Sequence, residues 1–131
     1  MTISRIRKLL VGAVALHSIA LGGAMYLQPA WTLSVTGWGY DGSQFFPAQS
    51  GVFLLLLGGA CIVGIWQRPF AWFLVATKSA AVVFLLGEYF IRTAPGLALV
   101  AAVLDGLMGA AVAAALIWEA RTKPARPVPA E

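Results

Sequence analysis

Four stretches of this 131-residue chain are long, apolar and almost uninterrupted: Leu9 to Leu27, Phe45 to Trp66, Phe70 to Ile91 and Pro95 to Trp118. Crossing about 30 Å of hydrocarbon takes about 20 mostly apolar residues, and each stretch meets that length. In lipid, backbone N–H and C=O groups find no water, so each stretch must satisfy its own as a helix. None shows the apolar–polar alternation of a barrel strand. The expected fold is all-α: four transmembrane helices in an up-down antiparallel bundle, forming one membrane domain over residues 1–120. Composition agrees, since 60% hydrophobic and 11% charged residues stand far from the soluble average of about 45–50% and about 25%.

Proline marks the edges of these stretches. Pro47, Pro69 and Pro95 each fall in a first turn, where a missing N–H costs little. Thr93 is placed to cap the fourth helix. Pro29 and Pro124 follow the first and last stretches. The short connections after the second and third stretches require antiparallel neighbours. The longer connection from Gln28 to Gln44 carries Trp31, Trp38 and Tyr40 among glycines, a composition suited to the headgroup region and to covering one end of the bundle. Residues Arg121 to Glu131, with Pro124, Pro127 and Pro129, read as a disordered cytoplasmic tail.

The formal charge of +4 does not point to nucleic acid, because the basic residues flank apolar stretches and form no soluble surface. Arg5, Arg7, Lys8, Arg68, Arg121, Lys123 and Arg126 lie on one side, against Arg92 on the other. That bias predicts a multi-pass protein of the cell membrane with both termini cytoplasmic. The basic start also has the form of a signal peptide, with small residues from Gly22 to Ala24 near a cleavage position. Retention is expected, because three further spans follow.

Charged and polar groups inside the spans carry the candidate site, since burying a charge at the bilayer centre costs at least about 2.5–3.5 kcal/mol. His17, Lys78 and Asp105 fall near the middle of spans one, three and four, and depth arithmetic at about 1.5 Å per residue places them in one central layer. Gln49, Glu88 and Arg92 form an expected outer layer. Ala13, His17, Ala20 and Ala24 share one helical stripe, and Ala101, Asp105, Gly109 and Ala113 another. Small residues permit close helix packing, so both stripes are expected to face inward. Lys78 with Asp105 reads either as an ion pair that fixes register or as a ligand or proton site. Glu88 and Arg92 stand four apart on one helix, in the favourable order for a surface pair.

Other chemistry finds little support in the residues. Cys61 is the single cysteine, so the chain has no internal disulfide and no cysteine-based metal cluster. His17 is the single histidine, so a two-histidine haem or metal site would need a second subunit, and no metal ligand set is assigned. Phosphate loops, Gly-x-Ser-x-Gly and His-Glu-x-x-His are absent from the sequence. No cofactor is identified.

The overall pattern resembles the small four-helix membrane proteins of the DoxX-like group. The matching features are the basic start, a first span ending at Leu27-Gln28-Pro29, a glycine-containing loop, Gln49-Ser50-Gly51 entering a span that contains Gly58-Gly59, and Asp105 in the last span. Some members of that group are associated with quinone-linked oxidoreductases or act as accessory subunits. The resemblance therefore implies a four-helix membrane fold, and no cofactor-binding motif carries over residue by residue. Two readings of function stand at this point. One is an accessory or interaction subunit whose partners are the bilayer and another membrane subunit or a second copy. The other is a small-molecule site for a quinone or other hydrophobic ligand, or a proton-coupled transporter.

Overall fold

The connection after the first span is itself partly helical. Pro29 opens a short helix with its φ preset, and Thr32 Oγ1 donates back to Gln28 O at 2.9 Å. Gly37 ends it at φ 74°, and its N–H reaches Ser34 O while the Trp38 N–H reaches Leu33 O at 3.0 Å. That pair of bonds is a Schellman closure, which needs a residue able to take positive φ. A computed structural model describes residues 2–38 and 42–122. Tyr40 and the tail beyond Thr122 lie outside the described residues.

Five helices occur among the described residues: α1 (Ile3–Leu27), α2 (Pro29–Val35), α3 (Phe45–Val63), α4 (Arg68–Arg92) and α5 (Gly96–Thr122). All but α2 are long and apolar enough to cross a membrane. The long helices form an all-α antiparallel bundle. Both described termini and the α3–α4 turn lie at one end, here called the basic end, and α2 and the α4–α5 turn lie at the other, the α2 end. The bounds differ from the expected ones mainly in α1, which begins at Ile3, and α5, which continues to Thr122. Thr93 does not cap α5. It ends α4 in the left-handed region at φ 55°, where its N–H and that of Ala94 both reach Glu88 O.

Backbone contact without side chains between them joins α1 to α3. A Cβ on Gly22 would stand 2.8 Å from Gly51 O, one on Gly51 2.6 Å from Tyr26 N, and one on Gly58 3.1 Å from Ile19 N. In lipid, where apolar side chains gain nothing by leaving the solvent, such close approach is what holds helices together. Gly59 faces open space, so only the first glycine of the Gly58-Gly59 pair packs. On the other side, α4 packs on α5, where a Cβ on Gly109 would stand 3.2 Å from Lys78 Cβ. α1 also packs on α5, whereas α3 and α4 meet less than either meets its other neighbour.

The core gathers at the basic end: Val11, Val14 and Ala15 of α1, Cys61 of α3, Ala71 and Leu74 of α4, and Val112 and Leu116 of α5. Cys61 is 2% exposed among these side chains, as a small hydrophobe. The expected inward stripe of α1 is not the packed one. Ala13, His17 and Ala20 are exposed, and Val11, Val14, Ala15, Ser18 and Gly22 are buried. The glycine contact decides the rotation of α1, because only its Gly22 face lets the α3 backbone come so near.

Candidate functional site

Lys78 and Asp105 come together as the α4–α5 hairpin closes. Lys78 Nζ lies 2.5 Å from Asp105 Oδ1, with the two side chains 11% and 15% exposed. Gly109, one turn from Asp105 on α5, accepts the root of the lysine side chain, and the flexible stem spans the remaining turn. Asp105 also forms part of the wall of a shallow groove of about 420 Å³ on the outside of α4 and α5, beside Ser79, Gly106 and Ala113. Breaking such a pair by removing one partner leaves an uncompensated charge in lipid, which makes the pair a strong lock on hairpin register.

His17 is not part of that layer. Its side chain is exposed, and it makes no hydrogen bond or ion pair among the described residues. The outer layer also separates. Glu88 pairs with Arg92 at 3.2 Å along α4, Arg92 being 74% exposed. Gln49 is exposed and lines a different groove with Tyr26, Phe45 and Phe53, on the α1–α3 side.

A further ionic layer at the basic end was not expected from the sequence. Arg7 Nε lies 2.8 Å from Glu119 Oε2, the side chains 4% and 7% exposed, and Arg7 Nη1 donates to Gly64 O at 2.9 Å. Arg68 Nε lies 3.8 Å from the same Glu119 oxygen, and its Nη2 donates to Leu116 O at 3.1 Å. Arg7 thus satisfies a carbonyl at the C-terminus of α3, where helix carbonyls lack partners, while holding the carboxylate of α5. Arg68 anchors the start of α4 to α5. One carboxylate and two guanidinium groups therefore tie all four long helices together.

The signal for this layer was present as an acidic residue among basic ones. Arg7 and Arg68 read as solvated flanking charges, and Glu119 fell one residue beyond the last apolar stretch. Antiparallel alignment of α1 with α5 brings Arg7 and Glu119 to one level, so the depth arithmetic used for the central layer would have paired them.

Among the described residues, no group of three or more His, Cys, Asp or Glu side chains is placed to hold a metal ion. The arrangement positions charges against each other and against helix termini. Comparison with protein-family models, curated proteins and solved structures found no match.

Proposed function

We propose that this chain is a non-enzymatic accessory or interaction subunit of the cell membrane, with both termini cytoplasmic, and that it presents α1 to a partner helix. His17 carries this reading. A side chain that both donates and accepts hydrogen bonds stands near the middle of a membrane-length helix, exposed and without a partner among the described residues. In lipid a neighbouring helix is the natural source of that partner, at about 0.6–2 kcal/mol per cross-helix bond. Ala13 and Ala20 are exposed about one turn to either side, so a second backbone can approach closely.

The internal ion pairs support the same reading by a different route. Lys78–Asp105 joins α4 to α5 and the Arg7–Glu119–Arg68 layer joins all four long helices, so both account for helix register. Cytoplasmic placement of the basic end follows from the Lys and Arg bias. The accessory role is also what the DoxX-like resemblance implies, and that family assignment is part of the proposal.

The test is cysteine cross-linking in native membranes on a Cys61→Ala background. Ala13→Cys and Ala20→Cys should each give a discrete adduct that His17→Leu weakens by up to about tenfold, the equivalent of one interhelical hydrogen bond. An adduct of twice the monomer mass names a second copy, and any other discrete mass names a different subunit. Adducts no stronger than those from Val103→Cys on α5 would overturn the reading.

A further inference from the structure

At the α2 end the helices enclose space in place of core. Leu21 and Met25 of α1, Leu33 of α2, Leu54 of α3, and Phe84 and Leu85 of α4 surround a cavity of about 460 Å³. That volume falls within the roughly 300–1,000 Å³ of small-molecule sites. α2 roofs it, and α3 and α4, which share little contact, leave it open between them. On α4 the fully buried residues are Ala71 and Leu74, both near the basic end, and Ala81 and Leu85 higher up are only partly buried.

The polar groups at the rim define what fits. Thr32, Thr36 and Ser50 each donate their hydroxyl proton to a carbonyl of their own segment, Gln28 O, Thr32 O and Phe46 O respectively. The indole N–H of Trp38, which also lines the cavity, has no hydrogen-bond partner among the described residues. None of the lining residues is ionisable. A matching ligand is therefore apolar along its length, uncharged where it is enclosed, and carries a hydrogen-bond acceptor at the level of α2.

We infer that this cavity takes one acyl chain of a glycerophospholipid, entering between α3 and α4, with an ester carbonyl accepting from Trp38 Nε1. The bilayer surrounds the opening with such chains, and indole side chains at a helix end stand at the depth of the glycerol esters. The headgroup projects past α2 beside the exposed Trp31. The bound chain supplies the packing that α3 and α4 do not give each other. Leu21, one turn from His17, lines the cavity, but this proposal does not rest on the His17 reading, because lipid label and helix–helix adducts are read separately.

The experiment reconstitutes the full chain into phosphatidylcholine nanodiscs doped with phosphatidylcholine bearing a diazirine on its acyl chain. Irradiation and peptide mapping then locate the labels. Leu54 and Leu85 should be labelled several-fold more than Leu56 and Val103, which face outward on α3 and α5. Ala81→Trp should fill the cavity and reduce lining label to that background. Trp38→Phe, a change at the rim that leaves the helices intact, should lower it about two- to tenfold, as loss of one neutral hydrogen bond does. Label spread evenly over lining and outward residues in the unaltered protein would overturn the site, as would lining label unchanged by both variants. Lining label from a prenyl-chain diazirine and not from the acyl probe would overturn the choice of occupant.

Discussion

At the basic end, Val11, Val14, Cys61, Leu74, Val112 and Leu116 interlock, and Arg7, Arg68 and Glu119 close the layer with charge. At the α2 end the same long helices meet only in pairs. Gly22 and Gly51 bring α1 onto α3, and Ala98 and Ala102 are buried on α5, while α4 buries no residue beyond Leu74. The difference teaches how a small membrane bundle divides its work. A short α3–α4 turn and an ionic layer fix one end, which leaves the other end free to separate and to hold something between its helices.

The largest effects should come from unpairing charge at the fixed end. Glu119→Leu leaves Arg7 enclosed without its carboxylate and should cost about 3–5 kcal/mol, read as a lowered unfolding midpoint in detergent. Arg7→Met together with Glu119→Leu should recover most of that loss, because two well-packed apolar side chains replace a buried pair at little net cost. Asp105→Leu should cost less, about 3 kcal/mol or below, since the long Lys78 stem can carry its charge toward a polar surface. Lys78→Met with Asp105→Leu should again restore stability. Equal losses in single and double variants would mean that the charges do more than hold register.

The contrast sharpens with one substitution made at both ends. Leu74→Ala, at a site with 0% exposure, should cost about 2–5 kcal/mol through lost contacts and a residual void. Leu85→Ala only enlarges a cavity that already exists, so its cost should stay below about 1 kcal/mol in lipid-free detergent. Melting both variants in detergent and again in phospholipid nanodiscs separates the two ends. A Leu85→Ala cost that rises only in nanodiscs would show that lipid supplies the missing core there.

Much of this architecture was legible in the residues. Four membrane-length helices and their antiparallel order follow from span length, proline placement and short turns. Meeting of Lys78 with Asp105 follows from depth at a fixed rise per residue, because both sit in one short-turned hairpin. Rotation about the helix axis was not legible. α1 carries small residues on two faces, one with Ala13, His17 and Ala20 and one with Ala15, Ser18 and Gly22, and only the close approach to Gly51 and Gly58 chooses between them. A hydrophobic pattern cannot help, since a helix in lipid is apolar all round. Helix α2 was hidden in a segment whose tryptophans and glycines read as loop, although Gly37 stood where a helix-ending glycine belongs. Glu119 stands among flanking charges, which are ordinarily solvated, whereas here a carboxylate and an arginine bury each other.

The smallest effect lies at the α2 end and runs in the stabilising direction. Thr93 holds φ 55° with a β-branched side chain, in a region that disfavours Cβ by about 1–2 kcal/mol. Its hydroxyl donates to Arg92 O at 2.7 Å, which offsets part of that strain. Thr93→Gly removes the strain but also frees the unfolded chain, so the net gain should be about 0.5–1 kcal/mol, a slightly raised melting temperature. The gain should appear equally in the unaltered protein and in Leu74→Ala, because the α4–α5 turn and the basic-end core share no contacts that couple them. A gain that depends on Leu74 would instead mean that the two ends communicate along α4, and the division between a fixed end and an open one would then describe degrees of a single packed unit.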